Sequence, residues 1–288
     1  MNLAIGTAQF GLDYGISNSA GKVKIPEIKK IIKLATDSGI DTIDTAMAYG
    51  DSEELLGKCN LENFKIITKI GAIQESENRI ENWILDEVHL SLEKLKLNNI
   101  YGLLLHRPNE LISKKGETLF YSIQNLKKLG LVKKIGISIY STDELVSILD
   151  SYDIDIVQLP LNIFNREAIN NDILKVLKSR NIEIHARSCF LQGLLLMEQK
   201  NIPIKFKKWS NLFIDWHEWL IKNDISPVQG CLSFLNSINE IDKVIVGVEN
   251  VKQLQELINY SSVQGITEFP NLICNDQQLI NPSNWKDL

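Results

Sequence analysis

The chain lacks the marks of several protein classes. Its 288 residues hold no run approaching the roughly 20 apolar residues that span a bilayer. The opening MNLAIGTAQFG has neither the basic region nor the apolar stretch of a secretory leader, so a cytoplasmic location and no membrane partner are expected. Cysteine is scarce: Cys59, Cys189, Cys231 and Cys274 are scattered, with no CxxC and no Cys/His pair at tetrahedral-site spacing. They read as reduced core thiols, and no metal site is predicted. Lys and Arg number 31 against 36 Asp and Glu, without long blocks of one sign, which gives no electrostatic reason to expect a nucleic-acid partner. No linker rich in Pro, Gly or Ser divides the chain, and GxGxxG is missing after its first apolar run.

What is present is a rhythm. Short β-branched, apolar runs alternate with longer stretches of helical period, the pattern of parallel strands joined by crossover helices. The strand candidates are residues 3–6, 42–44, 65–69, 100–106, 133–138, 155–159, 182–187 and 243–247. Eight such units in one undivided chain predict an α/β fold, a single-domain (β/α)8 TIM barrel over residues 1–288, with an open doubly wound sheet as the alternative. Pro26 suits a first helical position ahead of Ile28, Ile31, Ile32 and Ala35 on one face. Asp51 with Glu54, and Ser141 with Glu144, have capping-box spacing. The stretch FKKWSNLFIDWHEWLIKN sets Trp209, Leu212, Phe213, Trp216, Trp219 and Leu220 near one helical face. Such a face either packs on the barrel or binds a partner or substrate.

In a barrel, chemistry collects at the strand ends that feed the functional loops. Asp44 closes the second strand and Tyr49 lies in its loop, while Lys69 and His106 close the third and fourth. Singly, each has a structural explanation. Together they can act as a unit, because an ammonium beside a phenol favours its ionised form and lowers its pKa from about 10. A carboxylate beside the lysine keeps it charged and in place, and a neutral histidine can donate a hydrogen bond to the oxygen being protonated. Gly50 lets the chain turn tightly after the phenol.

DTIDTAMAYG with Asp44 and Tyr49, ITK with Lys69 and LLLH with His106 resemble, in order, spacing and strand context, the catalytic tetrad of the aldo-keto reductases. The likeness runs from GTAQFG to IVGVENVKQL. It implies a reductase in which hydride passes from a nicotinamide cofactor to a small-molecule aldehyde or ketone while Tyr49 delivers the proton. By the same resemblance Thr7, Asp44, Ser138 and Gln158 lie along the cofactor. Ile139 stands where many members have an asparagine. Arg187 occupies the place of an aromatic ring that stacks on nicotinamide, a role a planar guanidinium can also fill, or else it is a solvated loop-edge arginine. ARSCFLQGLLL, with Ser188, Phe190 and Gln192, resembles the pyrophosphate-contacting segment. VGVENVKQLQELI, with Gly247, Glu249 and Gln253, resembles the one that meets the adenosine 2'-phosphate. The resemblance implies NADPH. Glu249, Gln253 and Glu256 where basic residues are common predict weakened NADPH preference, with NADH used as well.

Tyr14, Arg107, Asn162, Phe190 and the tail NPSNW stand near the expected mouth, for substrate contact or for packing. ARSxFLQGLLL with the closing NPSxW resembles a branch found with surface-polysaccharide and sugar-biosynthesis enzymes, which implies a sugar or nucleotide-sugar carbonyl. A cofactor-keeping auxiliary subunit with little turnover is the alternative. A phosphate-binding barrel isomerase or aldolase ranks below it, because Gly247 alone does not make a glycine-rich phosphate loop. Oligomeric state is not legible.

Overall fold

The computed structural model describes residues 2–73, 79–261, 266 and 268–288, with only the backbone of Glu144 and Asp287. Eight parallel strands close on themselves in sequence order: β1 (Leu3–Gly6), β2 (Thr42–Asp44), β3 (Lys65–Ile70), β4 (Ile100–Leu105), β5 (Val132–Ser138), β6 (Ile156–Pro160), β7 (Glu183–Arg187) and β8 (Lys243–Gly247). Closure is made by β1 against β8, from Leu3 opposite Val244 to Gly6 opposite Gly247. The expected barrel is thus what forms, the open-sheet alternative is set aside, and the expected strands hold to within a residue at either end.

Alternation along each strand sends every second side chain into the barrel, where it fills layers. The middle layer is dry: Ile67, Leu104 and Ile156 form an apolar cluster of their own. The lower layer is charged, with Glu183 accepting from Lys134 at 2.7 Å and from the Tyr101 hydroxyl at 2.6 Å. Burial alone would raise the Glu183 carboxyl, but the His185 ring 3.4 Å away, with donation from Lys134 and Tyr101, overcomes it and holds the group at about 2. The upper layer carries Asp44, Lys69, Ser138, Gln158 and Arg187, so alternation that begins as packing at the bottom ends as polar side chains at the loop face.

Around the barrel, the helix Ile25–Asp37 buries Ile28, Ile31, Ile32 and Ala35, the stripe read from the sequence. Pro26 is its second residue, where a missing N–H still falls among the unpaired donors of the first turn. The tryptophan-rich segment splits: Trp209 ends a 3-10 turn and the helix Ser210–Lys222 buries Phe213, Trp216 and Leu220 against the barrel. Trp216 stacks on Trp219 at 5.4 Å and donates its indole N–H to the Leu195 carbonyl at 3.1 Å, which favours the packing reading over a free binding face.

The capping expectations are corrected. Asp51 precedes the helix Ser52–Leu56 without capping it; its carboxylate pairs with Lys22 at 3.1 Å instead. The helix Asp143–Ser151 starts after Thr142, and Ser141 donates to Glu167 at 2.9 Å; the Glu144 side chain lies outside the described residues. All four cysteines are free. No helix among the described residues is long and apolar enough to cross a membrane.

Candidate active site

The four polar residues at the ends of β2, β3 and β4 converge. Lys69, 1% exposed, places its ammonium 2.6 Å from Asp44 Oδ2 and 2.9 Å from the Thr45 carbonyl oxygen. An ion buried this deeply is stable only with such partners, since removing one leaves an uncompensated charge. Burial pushes the Lys69 pKa down, and Asp44 offsets this only in part. The Tyr49 ring lies over this pair, its centroid 5.1 Å from the Lys69 nitrogen, and meets the His106 ring edge-on at 6.1 Å and 81°.

The Tyr49 loop is fixed by close packing rather than by side-chain bonds. Gly50 has φ +55, and a Cβ there would lie 2.5 Å from the Gly11 carbonyl oxygen. A Cβ on Gly11 would meet the Tyr49 carbonyl oxygen at 1.8 Å. The loop thus rests directly on the short helix Ala8–Gly11, a contact that only two glycines allow. Below it, Glu53 accepts from Thr68 and from Ser91, each at 2.6 Å, tying the following helix to β3. Ser52 donates to Thr7 Oγ1 at 2.9 Å and Thr7 to the Asp44 carbonyl at 3.1 Å, so the Thr7 hydroxyl is turned into the scaffold.

A cavity of about 620 Å³ opens above these groups and runs from Tyr49 and His106, past Ser138 and Gln158, to Glu249, Gln253 and Glu256 beyond β8. Each residue expected to contact the cofactor lines it: Thr7, Asp44, Ser138, Gln158, Arg187, Ser188, Phe190, Gln192, Gly247, Glu249 and Gln253. Gln158 donates its amide to Asp44 Oδ1 at 2.7 Å and accepts from Ser138 at 3.3 Å, which links β5, β6 and β2 into one chain leading to Lys69. Ile139 is fully buried and offers only its carbonyl, which accepts from Arg187 at 2.8 Å. Arg187 is not a solvated loop-edge residue, because its guanidinium also lies 4.6 Å from the Tyr140 ring centroid.

The electrostatics differ from the sequence expectation in one respect. Burial, then the Asp44 carboxylate, push the Tyr49 phenol well above its ordinary value of 10, and Arg187 offsets this only in part. Lys69 does not lower the phenol below its ordinary value, since its charge is balanced by Asp44 at contact distance. His106 is held at about 4 by burial and by the Lys69 and Arg187 cations, so it is neutral near pH 7 as expected. Burial pushes the Cys189 thiol, which also lines the cavity, up to about 12 and leaves it a protonated wall group.

Of the residues near the mouth, Tyr14 and Phe190 line the cavity. Asn162 is buried and donates to the Ser188 carbonyl at 3.0 Å, and Trp285 is buried with its indole N–H on the Leu279 carbonyl at 3.0 Å; both are packing residues. Arg107 is exposed and outside the lining. Sequence reasoning missed Gln9, Gly11, Ser17 and Tyr140. Gln9 and Gly11 sit in GTAQFG and Tyr140 in GISIY, stretches noted for other positions.

Two segments meet over the cavity. The loop after β1 donates Ile16 N–H to the Gln192 carbonyl at 3.0 Å, and the Gln192 side chain donates to the Tyr14 hydroxyl at 3.2 Å. Ser188, Leu191 and Gln192 all take left-handed φ, between 48 and 59 degrees, strain of the kind found where a loop is shaped around a ligand.

The strand order and closure define a (β/α)8 barrel with its polar cluster at the loop face. The chain belongs to the aldo/keto reductase family, whose sequence profile matches residues 2–269. The aldo-keto reductase YhdN of Bacillus subtilis is 29% identical over 175 residues, which cover 57% of this chain and 52% of that protein. D-arabinose 1-dehydrogenase of Saccharomyces cerevisiae is 29% identical over 192 residues, 60% of this chain and 57% of that one. The chain thus spans little more than half the length of these curated relatives. Among solved structures, a holo-form aldo-keto reductase from Bacillus halodurans superposes with a TM-score of 0.75 at 16% identity, covering 96% of this chain and 95% of that chain. Glycerol dehydrogenase from Gluconobacter oxydans gives 0.70 at 22% identity, covering 92% and 88%. At such identities the structural likeness is one of fold.

Proposed function

We propose that the protein reduces an aldehyde or ketone, a sugar or nucleotide-sugar carbonyl, to the alcohol, with Tyr49 as proton donor and a nicotinamide cofactor in the cavity. The observation that carries this reading is the Asp44–Lys69 pair buried directly beneath the Tyr49 ring, with the neutral His106 ring at its edge, all opening on one cavity. The cavity volume of about 620 Å³ falls in the range of cofactor sites, and its wall offers hydroxyl and amide groups at Ser138 and Gln158 near Tyr49. The cofactor, when bound, supplies hydride. Tyr49 would give its phenolic proton to the carbonyl oxygen as the carbon is reduced, and the phenolate left behind would be reprotonated from solvent. His106, neutral, donates a hydrogen bond to the same oxygen and orients the carbonyl. Asp44 and Lys69 form the rigid floor under the phenol.

NADH fits the far end of the cavity better than NADPH. Glu249 and Glu256 present carboxylates there. Three N–H groups at the start of the helix Val251–Ser261 that could face a phosphate are taken: Val251 N–H by Glu27 at 2.9 Å, Gln253 N–H by Asn250 at 3.0 Å, and the preceding Glu249 N–H by Gln253 at 2.7 Å. The name of one relative, D-arabinose 1-dehydrogenase, supports a hydroxylated substrate. Four free cysteines suit the reducing cytoplasm.

The test follows nicotinamide absorbance across aldehydes, ketoses and nucleotide sugars, with parallel NADH and NADPH titrations and Tyr49→Phe as control. Reduction lost in Tyr49→Phe, with NADH binding retained, is expected; full activity in that variant contradicts the assignment. A preference for NADPH of roughly a hundredfold, about 2.7 kcal/mol, contradicts the cofactor reading. Tight dinucleotide binding without turnover of any carbonyl marks the auxiliary-subunit alternative.

A further inference from the structure

The cavity wall is uneven in charge. Its carboxylates are Asp44, tied to the buried Lys69 at 2.6 Å, and Glu249 and Glu256 at the far end beyond β8. Among the described residues, the one cation in the wall is Arg187, because Lys69 is buried beneath it and His106 is neutral. Arg187 makes no ion pair with any described residue. Its guanidinium meets only neutral groups: the Ile139 carbonyl at 2.8 Å, the Ser188 hydroxyl at 3.2 Å and the Tyr140 ring at 4.6 Å. Of the five N–H groups of a guanidinium, those two oxygens take two, and the rest have no partner among the described residues. The group is half-buried and keeps its charge at any pH at which a protein stays folded, so withdrawing it from water without a counter-charge is costly. A cation left in that state in the wall of a ligand cavity is a seat for an anion.

The anchoring fixes where that seat lies. Arg187 ends β7, yet its side chain turns away from β8: it donates past β6 to a carbonyl in the loop after β5 and rests on Tyr140 of the same loop. The charge therefore stands beside Ser138 and Tyr140, on the side where His106 follows β4, and not toward Glu249 after β8. Ser188, which holds one edge of the guanidinium, is itself locked, with left-handed φ 59 and its carbonyl accepting from Asn162 at 3.0 Å. A charge held in place before the ligand arrives binds it at less cost than a swinging one.

We propose that Arg187 seats an anionic group of the substrate, a carboxylate or phosphate carried by the carbonyl compound, so that the protein takes acidic carbonyl substrates in preference to neutral ones. This rests on the reading of the cavity as a carbonyl-reducing site and narrows its substrate class. A guanidinium that also lays a face against a nicotinamide ring still directs its N–H groups in its own plane, so the two contacts are compatible. The competing anion is the pyrophosphate of the cofactor, and the two are separable by measuring them independently.

The experiment titrates the NADH-loaded full chain calorimetrically with D-gluconate, D-glucitol 6-phosphate and D-glucitol, none of which has a carbonyl to reduce. At least one anionic probe is expected to bind about tenfold or more tighter than glucitol, and whichever does so assigns carboxylate or phosphate as the group recognised. Arg187→Met is expected to bring that probe to within about twofold of glucitol while changing NADH affinity less than about threefold. Arg187→Gln, which keeps a donor for the Ile139 carbonyl, is the second neutral variant and is expected to match it. Arg187→Lys should keep part of the preference, and thermal unfolding certifies the fold of each. Anionic probes that bind no better than glucitol, or not at all, overturn the assignment, as does a preference that survives in a folded neutral variant. A loss of NADH affinity equal to the loss of anion affinity gives the guanidinium to the pyrophosphate and overturns it too. The titration needs no turnover, so failure to reduce any carbonyl would count against the proposed function, while the anion preference judged Arg187 separately.

Discussion

His106 shows how a single side chain takes its state from its surroundings. An imidazole ordinarily titrates near 6.5; here burial comes first, then the Lys69 and Arg187 cations, and together they hold it at about 4. The sign for stability follows directly. Between about pH 6.5 and 4 the unfolded chain takes up a proton that the folded site refuses, so this residue lowers stability as pH falls through that window and has no effect above it. NMR of the His106 ring is expected to show a midpoint near 4, and urea unfolding a matching loss on acidification that His106→Gln abolishes. A midpoint near the ordinary value contradicts the burial and charge described here. The four polar residues were legible in the sequence because each stands at a strand end or in the loop that follows one, the face where a barrel places its chemistry. The electrostatic balance among them was not, since it depends on which carboxylate lies 2.6 Å from which ammonium.

At the scale of elements, strands were easier to read than their connections. Thr42–Asp44 is only three residues long and was still found, because TID follows a glycine turn and stands at the spacing the other units set. Caps failed for a physical reason: an aspartate before a helix can bond its own N-terminus or a passing lysine, and Asp51 chose Lys22 from the loop after β1. The contact between the Tyr49 loop and the helix Ala8–Gly11 was equally hidden. It is made by two glycines 39 positions apart, Gly11 and Gly50, and carries no pattern in sequence. Gly11→Ala is expected to push the Tyr49 loop away, since its Cβ would fall 1.8 Å from the Tyr49 carbonyl oxygen. Carbonyl reduction should drop at least tenfold, about 1.4 kcal/mol in the barrier, while far-UV circular dichroism stays that of an intact barrel. Unchanged turnover would show that the loop does not rest on Gly11 as described.

On the scale of the whole molecule, the barrel separates its tasks by height. Charged side chains pair at the bottom, Ile67, Leu104 and Ile156 fill the middle, and polar groups collect at the top. The same alternation in each strand serves all three levels, and for that reason the fold was readable from eight short apolar runs. What lay outside that alternation was the meeting of the loops after β1 and β7. Their hydrogen bonds join residues 178 apart in sequence, between Tyr14 and Gln192, and no local signal announces them.

That meeting has a kinetic consequence. An elongated ligand lying beneath Tyr14 and Gln192 cannot leave until the two loops part, so the slow event in each cycle is expected to be departure and not bond-making. Deuterium in place of the transferred hydrogen should then leave the steady-state rate nearly unchanged and yet slow a single turnover severalfold. Replacing Gln192 by alanine should hasten departure and let the isotope show in steady state as well. Equal isotope sensitivity in both regimes of the unaltered protein would mean that the loops part freely.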